Sequence, residues 1–172
     1  MVEMMKREVK ILFLHGLESS PGGSKPKYLE SMGYTVMNPH MPPGSYEEAC
    51  NIAQRLIDDT KPDIVVGSSR GGAIAMNNNL ASAKLVLIAP AWRKYGVPTS
   101  KYQDSDTIVL HCMGDEVVPY SDSVELADNW GVSLHECGQS HRMNSTASLA
   151  ALLNAVRYHV NRITESEQGE AS

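Results

Sequence analysis

A serine bracketed by glycines, Gly67-Ser68-Ser69-Arg70-Gly71, follows the apolar run Ile64-Val65-Val66 and leads into Gly72-Ala73-Ile74-Ala75. The glycines fit G-x-S-x-G only with Ser69 at the centre, because Val66 stands where Ser68 would need its first glycine. A strand that turns sharply into a helix at this point lifts the serine oxygen above the sheet, where it can attack a carbonyl carbon. The bland alternative is a glycine-rich turn that packs tightly or binds an anion at a helix N-terminus. The motif alone does not separate the two, and the decision falls to the partners that an attacking serine needs.

An alkanol is a poor nucleophile at neutral pH, so it requires a base within hydrogen-bond reach and an acid to hold that base. Two later segments can supply them, Met113-Gly114-Asp115-Glu116-Val117-Val118-Pro119 and Gly138-Gln139-Ser140-His141. Ser69, Asp115 and His141 are then nucleophile, acid and base in chain order. Rivals fit less well. Glu116 points the other way if its strand continues, and Asp122 reads as a helix cap. His111 and His135 lie within strand patterns as packed or satisfied core histidines, and His40 follows an edge strand. His15, in Leu14-His15-Gly16-Leu17, suits the shaping of a loop better than proton transfer.

These side chains matter only if the elements bring them together. Val9 to Leu14, Ile64 to Val66 and Leu85 to Ile88 are short, nearly continuous apolar runs, the mark of strands covered on both faces. Tyr34 to Asn38, Thr107 to Cys112 and Val132 to Glu136 complete six strands. Helices are predicted between them: Lys25 to Met32 capped by Ser24, a helix to about Asp59 opened by the capping box Ser45 and Glu48, Arg70 to about Ala81, and Asp122 to Trp130. A closing helix capped by Asn144 or Ser145 carries Leu149, Leu152, Leu153, Val156, Val160 and Ile163 at helical spacing. Pro90 to Ser105 shows no periodicity and reads as a loop or a very small cap. Alternating strands and helices imply one parallel α/β sheet, with strand order 2-1-3-4-5-6 along the chain. In such sheets ligands bind beyond the carboxyl ends of the strands. Ser69, Asp115 and His141 all fall on that edge.

Composition sets the outer bounds. At 172 residues the chain is one domain, able to bury roughly 70% of its unfolded surface. We divide it into residues 1–164 and a polar tail, 165–172, expected to be flexible. A net charge of −5 offers no basic surplus for nucleic acid. Cys50, Cys112 and Cys137 are widely spaced without a C-x-x-C pair, so neither a disulfide framework nor a metal site is suggested. No stretch approaches the length of a membrane span, and a cytoplasmic protein without membrane contact is expected.

With its Leu14-His15-Gly16 entry, the elbow at Ser69, the Gly114 to Pro119 segment and the His141 loop in this order, the chain resembles the α/β-hydrolase superfamily. The likeness is to its compact, nearly capless bacterial-type esterases. The resemblance implies a single-domain α/β-hydrolase fold and a serine hydrolase acting on small carboxylic esters or thioesters through an acyl-enzyme, with no cofactor. The oxyanion would be held by the backbone amides of Leu17 and Arg70. Arg70 departs from the uncharged residue more common after the nucleophile; it either pairs with Glu18 at the surface or recognises a carboxylate or phosphate on the substrate. His15, Glu18, Met41, Arg70, Trp92, Val117 and Met143 are the candidate substrate-binding residues, although loop apolar residues are as often plain packing. Competing functions are a non-catalytic binding protein on this scaffold, an acyltransferase, and a C–C or amide hydrolase using the same triad. Either a monomer or a homodimer is compatible with the sequence.

Overall fold

The computed structural model describes residues 7–17, 19–99 and 106–170. Six parallel strands, β1 (Lys10–Leu14), β2 (Thr35–Met37), β3 (Ile64–Ser68), β4 (Lys84–Ile88), β5 (Ile108–His111) and β6 (Ser133–Glu136), form one sheet in the order β2-β1-β3-β4-β5-β6. The helices are α1 (Ser24–Ser31), α2 (Tyr46–Thr60), α3 (Arg70–Asn77), α4 (Tyr120–Trp130) and α5 (Thr146–Glu170).

Strand side chains alternate between two apolar layers, as the two-residue period of a strand demands. Leu12, Leu14, Val65, Leu85, Leu87 and Val109 face α2, α3 and α4. Ile11, Phe13, Ile64, Val66, Val86, Ile88, Ile108 and Leu110 face α1 and α5. Each fully buried side chain of this size stabilises the fold by roughly 1.5–3 kcal/mol before entropy is set against it. Covered faces free the carboxyl edge of the sheet for loops that do chemistry. The order in which strands are added reverses between β1 and β3, which places the crevice of such a sheet beside Ser69.

Local signals acted largely as expected. Ser45 Oγ accepts from the Glu48 N–H at 3.1 Å to open α2, and Gly131 ends α4 in the left-handed region at φ 67°. Differences lie at element ends. Ser24 is the first residue of α1 rather than its cap, a position held by Gly23, and α3 stops at Asn77. Asp122 does not cap α4. It lies buried in the first turn, with its carboxylate on Arg93 at 3.0 Å, and the cap is Pro119. The segment read as a tail from Glu165 continues α5 as an exposed helix to Glu170, and Glu167 takes a hydrogen bond from Arg7 at 2.6 Å. No helix among the described residues is long and apolar enough to cross a membrane.

Candidate active site

The turn between β3 and α3 is the strained point of the chain. Ser69 has φ 54° and ψ −115°, a combination that costs a non-glycine residue about 1–3 kcal/mol unless its surroundings enforce it. They do so from both sides. The Ser69 N–H donates to Ile88 O at 2.9 Å, and its carbonyl accepts from Ala91 at 3.0 Å, tying the turn to the end of β4. The flanking glycines allow backbones to close in: a Cβ on Gly67 would sit 2.6 Å from Gly71 O, and one on Gly71 only 2.0 Å from Leu14 O.

Held there, Ser69 Oγ lies 3.0 Å from His141 Nε2, and His141 Nδ1 lies 2.6 Å from Asp115 Oδ2. Since Nδ1 faces a carboxylate, it carries the proton, and Nε2 presents its lone pair to the serine hydroxyl. The other Asp115 oxygen accepts the Val117 and Val118 N–H groups, each at 2.8 Å, so the turn after β5 fixes the acid through its own backbone. The Asp115 side chain is wholly buried and that of His141 is 21% exposed. Burial pushes the Asp115 carboxyl up, yet hydrogen bonds from His141, Val118 and Val117 outweigh it and leave it below its ordinary value. The acid is thus a carboxylate at neutral pH.

The loop that carries His141 is anchored from below. Met143, 2% exposed at φ 50°, is buried in the α5-facing core, and Arg142 O accepts from Lys25 Nζ at 2.6 Å. Across the site, a Cβ on Gly16 would meet Ser69 Cβ at 3.4 Å, which brings the turn containing Leu17 against the serine. The Arg70 amide opens α3, where the first N–H groups have no partner within the helix. Both amides expected to receive an oxyanion therefore lie on the segments that border Ser69.

His15 is a structural residue. Its Nδ1–H donates to Gly16 O at 2.8 Å and its Nε2 accepts the Met41 N–H at 3.0 Å, so one nitrogen braces the β1 turn and the other joins that turn to the segment after β2.

Several residues read as substrate contacts are core instead. Met41, Trp92 and Met143 are 1%, 5% and 2% exposed and pack within the two apolar layers, and the Trp92 Nε1–H donates to Asp122 O at 3.2 Å. Val117, by contrast, is 65% exposed beside Asp115, and two further apolar side chains, Met113 and that of the oxyanion candidate Leu17, are also open to solvent. Arg70 is not a surface cation. At 2% exposure it donates from Nη2 to Pro42 O at 2.8 Å and lies 5.9 Å from the centres of the Tyr46 and Tyr95 rings, while the buried Nη1 has no hydrogen-bond partner among the described residues. Glu18 lies outside the described residues. His135 is exposed rather than packed, since the final strand is an edge. His111 is the satisfied core histidine that its strand pattern predicts, and the pattern does not show which acid it touches. It is fully buried at the end of β5, with Nε2 3.1 Å from Asp115 Oδ2.

Burial holds His111 and His15 below the usual histidine value, in each case against hydrogen bonds that favour the proton. Both are neutral in the folded state and free to protonate when unfolded. The unfolded chain then takes up protons first as pH falls, so their contribution is complete above about pH 6.5 and declines below it. Asp115 acts lower, its contribution being lost only as pH falls from about 4 through its depressed folded value. Urea midpoints should stay level down to about pH 6.5 and then fall, each histidine adding at most about 1.4 kcal/mol per pH unit. A midpoint constant to about pH 5 would show that the two imidazoles are not kept neutral by the fold.

No protein-family model and no curated protein matches the sequence. Solved structures match its shape. Alpha/beta hydrolase domain-containing protein 10 from mouse aligns at 16% identity over 93% of this chain and 92% of its own, with TM-score 0.71. Est1E from Butyrivibrio proteoclasticus aligns at 16% identity over 92% and 89%, with TM-score 0.73. The ydeN gene product of B. subtilis aligns at 17% over 89% and 99%, with TM-score 0.71. The chain has the α/β-hydrolase fold.

Proposed function

We propose that the protein is a serine hydrolase that cleaves small carboxylic esters or thioesters through an acyl-enzyme. The observation that carries this reading is the unbroken relay from Ser69 Oγ to His141 Nε2 at 3.0 Å and from His141 Nδ1 to Asp115 Oδ2 at 2.6 Å. In it, Ser69 attacks the carbonyl carbon as His141 takes its proton, and Asp115 stabilises the imidazolium that forms. His141 then returns the proton to the leaving alcohol or thiol as the tetrahedral intermediate collapses. Water, deprotonated by the same imidazole, attacks the acyl-serine, and His141 passes that proton to Ser69 Oγ as the acid leaves. The Leu17 and Arg70 amides would receive the oxyanion in both halves, each worth about 3–4 kcal/mol of transition-state stabilisation where such donors have been removed.

Leu17, Met113 and Val117 support an apolar acyl or alkyl group, since all three are exposed on segments that border the relay. A panel of p-nitrophenyl esters of graded chain length, run beside acyl-thioesters and amides, tests the assignment. We expect turnover of short esters or thioesters that disappears in His141→Ala. Turnover of amides alone, or only of long-chain lipid esters, would contradict it.

A further inference from the structure

We infer that His111 and Ser123 are positioning residues for the candidate acid, extending the relay inward as Ser123, His111, Asp115, His141 and Ser69. This rests on the reading of Ser69 and His141 as nucleophile and base. The His111 ring is fully buried, and its Nε2 lies 3.1 Å from Asp115 Oδ2 and 3.1 Å from Val118 O. Both of those partners are acceptors, so Nε2 holds the ring proton. Nδ1 is then a lone pair, and it accepts the Ser123 hydroxyl at 2.6 Å from a side chain that is itself 0% exposed in the first turn of α4. The Tyr120 ring stands edge-on at 5.4 Å and closes that side. Space-filling alone would not require three polar contacts that fix the tautomer and rotation of one buried ring.

Two consequences follow for Asp115. Its Oδ2 receives N–H groups from both imidazoles, so the His111 bond pins the carboxylate while the His141 bond uses it. Sharing the oxygen also divides its pull between the two ring protons, so the His111 bond tempers the one on His141. Among the described residues, the titratable groups that face His111 are Asp115, His141 and Tyr120, with Glu136 and Cys137 close enough to Tyr120 to act on it.

The test replaces His111 with Asn, whose amide still reaches towards Ser123 but not Asp115, and with Gln, whose amide nitrogen falls near the lost Nε2. The readouts are kcat and KM for ester hydrolysis, the acid limb of kcat/KM, and an NMR titration of His141, which needs no turnover. For His111→Asn we expect kcat about tenfold lower at little-changed KM, and a His141 titration moved to higher pH by about half a unit or more. His111→Gln should recover most of both, and Ser123→Ala should shift both in the direction of His111→Asn to a smaller extent. Where His111→Asn fails to fold, the Gln and Ser123→Ala variants carry the same comparison. Active wild type with an unmoved titration and kcat in the folded Asn or Ala variant overturns this inference alone, as does a Gln variant as impaired as Asn. A wild type inert towards every ester and thioester overturns it together with the triad.

Discussion

Replacing Ser69 with alanine is expected to lower kcat for ester hydrolysis by about 10⁶-fold, leaving only the catalysis that the oxyanion donors and substrate binding supply. The size follows from the relay acting as a unit: without Oγ, His141 has no proton to take and Asp115 no imidazolium to stabilise. Stability should respond differently. Alanine inherits the strain of φ 54° and ψ −115°, whereas glycine adopts that conformation freely. Ser69→Gly should therefore be inactive yet more stable than Ser69→Ala by roughly 1 kcal/mol, the released strain less the extra chain entropy of glycine. Paired rate assays and urea melts on the two variants check both halves. Equal stability would place the strain elsewhere, and residual activity within tenfold of wild type would remove Ser69 from the chemistry.

Gly71→Ala should be the most damaging of the small substitutions for the fold. An added Cβ meets Leu14 O at 2.0 Å, Leu14 C at 2.5 Å and His15 O at 2.8 Å, all of them backbone atoms. A flexible side chain could swing aside; the end of a central strand cannot. Either β1 shifts away from α3 or the β3 turn opens, and both lose buried contacts in the middle of the sheet. Overpacking usually costs about 1–3 kcal/mol, and a clash confined to backbone belongs at or above the upper end. That is a large share of the roughly 5–15 kcal/mol that holds a domain together. The contrast is Gly114→Ala, where an added Cβ meets nothing within 4 Å. Denaturant melts should show the first variant unfolded or severely weakened and the second near wild type. A Gly71→Ala protein within about 1 kcal/mol of wild type would mean that the turn is far more pliable than its contacts imply.

The sheet order was legible because continuous apolar runs and capping signals act locally, and the parallel crossovers leave few ways to join them. The residues of the relay were legible for a related reason: each follows a strand, so the fold delivers it to one edge. What the sequence concealed depends on how loops double back. The turn from Asp115 to Pro119 brings the acid beside His111, a strand residue that alternation alone marks as core. Met41, Trp92 and Met143 lie on loops that follow strands β2, β4 and β6, but those loops tuck them inward as anchors. Arg70 follows the serine in a position that suggests exposure, yet the segment after β2 covers it and the Tyr46 and Tyr95 rings lie alongside. Helix ends were missed by a few residues because capping side chains compete with backbone geometry, as at Gly23 and Pro119.

The decisive measurement is the intact mass of the protein after exposure to a fluorophosphonate, which forms a phosphonyl ester with a serine only when a base activates it. The wild type should gain a single adduct on the peptide containing Ser69, lost in Ser69→Ala and strongly slowed in His141→Ala. An unmodified wild type, or an adduct that persists on the Ser69→Ala chain, would contradict the account.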